Sequence, residues 1–516
     1  MHRILGIACE PWQTKIISQV LQQFYNQNQN SNLVLALTDF YHFVHNVPLE
    51  DSIPHDLPIK IITQNDIYKS WQSNLEEESE LLKINLAKWE IENCKKRSLS
   101  EIESGNALTN QWEREAYWLP FSDYWRKRVL VDTIEWCENL MEESNPSVVI
   151  SIERAELSNS VIDLICNRKK IPYLTLIPSR IESRWIVRTD FGYGCGLETQ
   201  IAIDSAVECV SCQKEAKEYV KLFKNSHQGA YSSIAYSDSQ IFSDRIDPRA
   251  TIRVVKELKK LISDIYYRHI IVPKEMSIKP KRFEENHLRF TGVKIRRWIY
   301  RIFRSLGIKK WGVTRIPDKP YIFWALHGRP ETSVMVLGDG KDEIELIEEI
   351  VKDLPAGYIL AIKENPVMFG LRGKKFYKRL QENKRIMMID AFMNTNQLIK
   401  SSSGVMGISG TVLLESAILG KPVCILGKPE FMCEFEYVGW NSYITFFNAL
   451  QTKNLNTEIE TATRYLQYIF HNSTSDDVPY FSEVQSANTQ KMIRRFASIL
   501  EYYSNNKKMP SKCSNK

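Results

Sequence analysis

A chain of 516 residues with 43% hydrophobic and 25% charged side chains is too long for one hydrophobic core and too apolar to be disordered. Its net charge of only +6 gives no electrostatic ground for nucleic-acid binding, and no window reaches the about 20 apolar residues of a membrane-spanning helix. The opening residues lack the apolar stretch of a secretory signal, and the ten cysteines are scattered, several inside apolar runs (Cys9, Cys166, Cys424), as free buried thiols in a reducing compartment are. A soluble, intracellular protein of more than one domain is expected.

The first half alternates strands and helices. Residues 3–9, 33–38 and 59–63 read as strands and 12–25 as an amphipathic helix. Residues 71–141 are mostly helical, charged and rich in Trp and Glu, which suggests a helical insertion over about 65–141. The sheet resumes at 147–152, followed by a helix to about 167 and a strand at 173–177. This order predicts a mainly parallel sheet with right-handed crossovers. Gly192, Gly194 and Gly196 do not sit between a strand and a helix as a dinucleotide fingerprint requires, so an NAD site is not expected.

Glu153 falls at the carboxyl end of the strand at 147–152, where ligands collect in open parallel sheets and where a general base would stand. Arg154, Arg180 and Arg184 lie in or just after neighbouring strand ends and suit an anionic ligand. Asp39 and His42 are weaker candidates of the same kind. The plainer reading of Glu153 and Arg154 is that they begin a helix with favourable surface charges. Cys209 and Cys212 are the closest cysteine pair, but with no second pair at zinc-site spacing they read as structural, within a helix running toward Leu222.

Residues 246–318 read as a basic, helical interdomain segment. Its stretch 281–311 holds ten Lys or Arg against two Glu. Within 294–306, Ile295, Trp298, Ile299, Ile302, Phe303 and Leu306 recur at helical spacing among Lys294, Arg297, Arg301 and Arg304. Such a helix fits an anionic membrane surface, or equally packs its apolar stripe on a domain.

The second half is more pointed. A strand at 321–326 ends in His327, Gly328, Arg329, Pro330 and Glu331. A second, at 358–362, ends in Lys363, Glu364, Asn365 and Pro366, the proline stopping the strand. A third, at 405–408, runs into Ser409, Gly410 and Thr411, where Ser409 is expected to cap a helix over 411–419 that Gly420 stops before a strand at 423–426. A helix N-terminus just past a strand offers free N–H groups and partial positive charge to a phosphate. Glu415, one turn on, is placed to accept hydrogen bonds from a ribose diol. Further helices are expected at 457–468 and 485–503, with a frayed tail at 507–516.

These strand ends resemble the C-terminal half of bacterial capsule and surface polysaccharide biosynthesis proteins with the two-domain GT-B glycosyltransferase fold. The carriers are the run from Tyr321 to Pro330, the segment GYILAIKENP and the segment ISGTVLLESAILGKP. The resemblance covers roughly residues 320–430 and is only architectural before that. It implies an α/β protein with two Rossmann-like domains facing a cleft: an acceptor domain over 1–245, the segment 246–318, a nucleotide-sugar domain over 319–475, and a C-terminal helix and tail over 476–516. In that arrangement the last helix crosses back onto the first domain, and Met492, Ile493, Phe496, Ile499 and Leu500 have the spacing to do so. The resemblance also implies that Lys363, Asn365, Pro366, Ser409, Gly410, Thr411, Glu415 and His327 bind the donor nucleotide, which is CMP in relatives that transfer Kdo or sialic acid. Glu153 and Asn365 are then the catalytic candidates, and Arg154, Arg180 and Arg184 hold the acceptor. The chain departs from the family pattern at Asn365, which replaces a His; Asn donates a hydrogen bond but carries neither proton nor charge. No metal and no cofactor beyond the donor are expected. The partners are a nucleotide-sugar, a glycan or lipid-linked glycan acceptor and the inner membrane surface, with no nucleic acid. Two other readings stay open: a non-catalytic nucleotide-sugar-binding scaffold, and a nucleotide-sugar epimerase or polyol-phosphate transferase.

Overall fold

The computed structural model describes residues 2–9, 11–38, 53–54, 56–64, 86–94, 123–152, 157–181, 184–189, 206, 208–225, 312–328, 343–368, 372, 374–429, 431, 442–452, 459–475 and 487–505, with isolated positions between 258 and 299. Glu153, Arg154, Asp39, His42, Arg329, Pro330 and Glu331, most of the helical insertion and nearly all of the basic segment lie outside the described residues.

The first unit contains strands β1 (His2–Ala8), β2 (Ser31–Leu37), β3 (Ile59–Thr63), β4 (Val148–Ile152), β5 (Tyr173–Pro178) and β6 (Arg184–Arg188). Its helices are α1 (Pro11–Gln27), α2 (Leu86–Asn93), α3 (Asp123–Ser144), α4 (Leu157–Lys169) and α5 (Val210–Asn225). The second unit contains β7 (Tyr321–Ala325), β8 (Ile359–Lys363), β9 (Ile386–Ile389), β10 (Gly404–Gly407) and β11 (Val423–Ile425). Between and after them come α6 (Glu343–Asp353), α7 (Lys374–Gln381), α8 (Thr395–Ser401), α9 (Thr411–Ile418), α10 (Tyr443–Thr452) and α11 (Ile459–Asn472). The chain then makes β12 (Thr474–Ser475) and α12 (Ala487–Asn505).

The first sheet has the order β12-β6-β5-β4-β1-β2-β3 and the second β11-β10-β7-β8-β9. In each, the chain builds outward from a central strand in one direction and then returns to build on its other side. Both are therefore Rossmann-like, and the switch points fall between β1 and β4 and between β7 and β10. Every pairing in the second sheet is parallel, so its strand ends share one edge. The first sheet departs from the expected parallel pattern on one side: β6 runs antiparallel to β5, and β12 antiparallel to β6. A tight turn through Ser179 and Arg184 reverses the chain there, and Arg180 takes it through the left-handed region with φ 65°.

Alternate residues of the parallel strands feed cores on both faces, which is why these strands read as continuous apolar runs. In the first sheet Leu5, Ile7, Val34 and Val149 face α3 and α4, while Ile4, Leu33, Leu35 and Ile150 face α1 and α12. In the second, Tyr321, Phe323, Ala361 and Val405 face α8, α9 and α11, while Ile322, Trp324, Ile362 and Met406 face α6, α7 and α10.

Helix α12 packs Met492, Ile493, Phe496 and Leu500 against Ile17, Val20, Leu21 and Phe24 of α1, so the last helix returns to the first unit as expected. A second junction is made by α5, whose Ala216, Val220 and Phe223 share a core with Tyr465, Leu466 and Ile469 of α11. Gly312 lies so close to Ile389 that a Cβ would meet its backbone at 2.5 Å, and this approach lets Val313 bridge to the edge strand β9.

Candidate functional site

Helix α9 begins straight after β10 and is buried along nearly its whole length. Its C-terminus is a full Schellman motif: Gly420 adopts φ 75°, its N–H reaches the Ala417 carbonyl, and the Lys421 N–H reaches that of Ser416. At the other end the structure corrects the sequence reading. The N-cap is Gly410, not Ser409, and no side chain caps it. Ser409 is instead fully buried, and its N–H donates to Nε2 of His327 at 3.4 Å. Among the described residues the first turn of α9 is thus left without a side-chain acceptor, which is the arrangement that accommodates an anion.

His327, at the end of β7, ties the two sides of the switch point together. Its Nδ1 and its backbone N–H both face Oε1 of Glu343, at 2.8 and 3.1 Å, and Oε1 also accepts from Trp324 Nε1 at 3.2 Å. With Nδ1 against a carboxylate and Nε2 against an N–H donor, the ring is held as the Nδ1–H tautomer. A Cβ on Gly410 would lie 3.1 Å from Nε2, so the turn and the ring are in contact. Burial alone would raise the Glu343 carboxyl, but the His327 hydrogen bond, the charge of Arg372 and the Trp324 hydrogen bond hold it below its usual range.

Arg372 secures this arrangement from behind. Its Nε reaches both Glu364 oxygens at 3.1 and 2.9 Å, its Nη2 donates to the His327 carbonyl, and it stacks on Phe376 at 4.6 Å. Glu364 also accepts from the Tyr377 hydroxyl and, at 2.7 Å, from the Asn365 N–H. Burial raises Glu364 despite these partners. Glu364 is therefore held in place as a structural group, while Asn365 and Pro366 open the short 3-10 turn Pro366–Met368 that caps the strand end.

Lys363 differs from its neighbours. It ends β8 at 6% exposure, yet its ammonium makes no hydrogen bond or close ion pair with any described residue. Burial lowers its pKa from the ordinary 10.5 to about 8, against the opposing pull of Asp390, Glu415 and Glu364 in that order. Asp390 follows β9, and its Oδ1 accepts the Phe392 N–H. Glu415, on α9, is 7% exposed. The second edge therefore gathers His327, Lys363, Asn365, Pro366, Ser409, Gly410, Thr411 and Glu415, all read from the sequence. It adds Glu343, Arg372 and Asp390, which the sequence reading missed because they follow no strand-end motif of their own.

The first sheet has a polar edge of its own. Cys9, after β1, receives Asn159 Nδ2 and Thr38 Oγ1 on its sulfur, each at 3.2 Å, while its N–H donates to Gln13 Oε1. Gln64, after β3, donates to Ser158 Oγ at 2.7 Å. Asn159 Oδ1 and Ser160 Oγ are buried with no hydrogen-bond partner among the described residues. This uncharged floor was not foreseen. Of the acceptor candidates on this unit, Arg180 sits half-buried at the β5–β6 turn. Arg184 is engaged elsewhere: it pairs with Glu215 at 2.9 Å, donates to Ser473 Oγ and lies over Phe470 at 4.6 Å, fastening β6 to α5 and α11.

Residues 290–466 match the family model described as capsule polysaccharide biosynthesis protein. The resemblance read from the strand ends is borne out over that stretch, which contains the whole second edge. No curated protein sequence matches the chain. Solved structures with some likeness include the beta Kdo 2,7 transferase of Thermosulfurimonas dismutans KpsC, 8% identical over 71% of this chain and 89% of that one, with a TM-score of 0.36. The beta Kdo 2,4 transferase of the same KpsC is 13% identical over 68% and 87%, with a TM-score of 0.29. A UDP-GlcNAc 2-epimerase from Neisseria meningitidis bound to UDP-GlcNAc is 11% identical over 98% and 100%, with a TM-score of 0.25. Likenesses this loose decide neither fold nor chemistry, and the architecture rests on the order and direction of the strands. Among the described residues no helix is long and apolar enough to cross a membrane.

Proposed function

We propose that this protein is a glycosyltransferase of surface polysaccharide synthesis, which takes a sugar from a nucleotide donor held at the second edge and passes it to a glycan acceptor at the first. The observation that carries the reading is the placing of a buried Lys363 ammonium and the N-terminus of α9, neither with a side-chain hydrogen-bond partner among the described residues, at one strand edge beside a switch point. Both groups are suited to negative charge growing on a leaving phosphate. Thr411 and Gly410 present the open turn, Asn365 adds a neutral donor, and Glu415 accepts from the ribose. His327 acts as a positioning residue that fixes the Ser409–Gly410 turn, with Glu343 and Arg372 fixing His327 in turn.

On the acceptor side, Glu153 serves as the base, Arg154 and Arg180 meet an anionic acceptor, and the segment 294–306 rests on the inner face of the cytoplasmic membrane. The donor is a CMP-sugar by family resemblance, and the backbone N–H groups with Lys363 stand in for a metal ion at its phosphate.

The test is a thermal-shift panel of CMP, CDP, UDP, GDP and dTDP, with Glu415→Ala alongside, followed by product analysis with an oligosaccharide acceptor. Selective stabilisation by one nucleotide, lost in Glu415→Ala, and acceptor-dependent nucleotide release support the reading. Nucleotide binding without turnover supports instead the non-catalytic binder that Asn365 in place of His favours. Turnover of the donor without acceptor marks an epimerase.

A further inference from the structure

Cys209 and Cys212 straddle the start of α5, and a third group from far along the chain completes their surroundings. Cys209 occupies the N-cap position, and its sulfur accepts the Cys212 N–H at 3.3 Å. His471, at the end of α11 and 259 residues away, brings Nδ1 to 3.8 Å from the Cys212 sulfur. The two sulfurs and one imidazole nitrogen lie within 4.8 Å of one another. In the structure the two sulfurs are joined as a disulfide.

We propose that in the dithiol form Cys209, Cys212 and His471 bind a thiophilic divalent cation of the zinc type. Ligands on a tetrahedral zinc ion, at about 2.3 Å for sulfur and about 2.0 Å for nitrogen, stand roughly 3.5–3.8 Å apart, so the Cys212–His471 spacing already fits one ion between them. A disulfide by itself has no use for the imidazole. The nearby Arg184 is paired with Glu215, which offsets its charge. Cys212 is buried, Cys209 half-buried and His471 exposed, so the fourth position faces solvent and takes a water or an exogenous ligand. Arg495 holds the carbonyls of His471 and Ser473, which fixes the end of α11 that presents the ring. An ion here would clamp α5 to α11, the junction at which the two units share a core.

Binding releases two protons, one from each thiol, to solvent, while the neutral imidazole ligates through Nδ1. Where the pair begins oxidised, a phosphine reductant with water supplies two electrons and two protons, and leaves as the phosphine oxide.

The experiment loads the phosphine-reduced full-length protein with Co(II) and with Zn(II). Expected are one tightly held ion per chain, the thiolate-to-cobalt charge-transfer band with the visible bands of a tetrahedral ion, and a rise in thermal midpoint with zinc. His471→Ala, at an exposed position, should fold normally and bind on the order of a hundredfold more weakly. Cys209→Ser and Cys212→Ser should lose the charge-transfer band. The other eight cysteines of the chain, among them the buried Cys9, Cys137, Cys166 and Cys424, supply the control for scattered binding. The proposal is overturned if the reduced protein gives no tetrahedral cobalt spectrum, if His471→Ala binds as tightly as the parent, or if the disulfide survives a glutathione buffer of cytosolic poise.

Discussion

Nucleotide binding at the second edge should take up a proton, by an amount that Lys363 determines. Burial sets this group at about 8 instead of 10.5. In the unliganded protein about half of the ammonium groups are then neutral at pH 8, and about nine in ten at pH 9. A phosphate facing the side chain favours the charged form and returns the pKa toward its ordinary value. Proton uptake per nucleotide bound should rise from about 0.1 at pH 7 to about 0.5 at pH 8 and about 0.9 at pH 9, while affinity falls about fivefold between pH 8 and pH 9. Isothermal titration in buffers of different ionisation enthalpy reads both quantities. Lys363→Met should abolish the uptake and flatten the affinity profile. Uptake that is flat between pH 7 and 9, or equal in Lys363→Met, would refute the placement of the phosphate.

The same residue acts on stability in the reverse sense to an ordinary ion pair. Its folded pKa lies below the unfolded one, so between about 8 and 10.5 the unfolded chain holds more protons and stability rises with pH. Keeping the buried ammonium charged below that window costs about 3 kcal/mol, which is present in full below pH 8 and gone above 10.5. The stability difference between Lys363→Met and the parent, from urea unfolding, should narrow across that window.

Glu364→Gln leaves the buried Arg372 without its bidentate carboxylate and should lower the unfolding free energy by about 3–5 kcal/mol in urea titration. Gly410→Ala introduces no backbone strain at φ −68°, but its Cβ would stand 3.1 Å from His327 Nε2. It should weaken nucleotide binding while the unfolding midpoint changes little; unchanged affinity would free the turn from any ligand role. Phe496→Ala, at a fully buried position between α12 and α1, should cost about 3–5 kcal/mol and show in the denaturant midpoint.

The strands of both sheets were legible because buried parallel strands are runs of apolar residues closed by polar ones, as in Ile359–Lys363 before Glu364-Asn365-Pro366. The polar strand-end residues of the second edge were legible for the same reason. The short edge strands β6, β9 and β12 were not, since Arg184–Arg188 carries two arginines, Ile386–Ile389 is only four residues long and β12 only two. The cap of α9 was misread because Ser409 has the right chemistry and stands one residue too early, its N–H already given to His327. Glu343 and Arg372 escaped because each acts through a residue distant in sequence: Glu343 through His327, 16 positions before it, and Arg372 through Glu364 and the His327 carbonyl. His471 escaped on the same ground. A pattern confined to one segment cannot show a partner that only the crossing of helices supplies.

The two switch points differ in a way that assigns their ligands on the proposed reading. Each is bridged by one polar contact, Asn159 to Cys9 in the first sheet and Ser409 to His327 in the second. Around the first bridge the described side chains are neutral: Gln13, Thr38, Gln64, Ser158 and Ser160. These neutral side chains exchange hydrogen bonds with hydroxyls and bring no charge of their own to a phosphate. Around the second lie a buried cation and an uncapped helix, which do the opposite. Two carboxylates, Asp390 and Glu415, already face that cation. An arriving phosphate therefore competes with them for Lys363 and shares its charge between that ammonium and the N–H groups of α9. Glu415 is then released to a ribose hydroxyl, an uncharged donor that it can satisfy without opposing the phosphate. This division predicts that a free nucleoside, which has the diol and lacks the phosphate, binds at the second edge with an affinity that Glu415→Ala weakens and Lys363→Met does not.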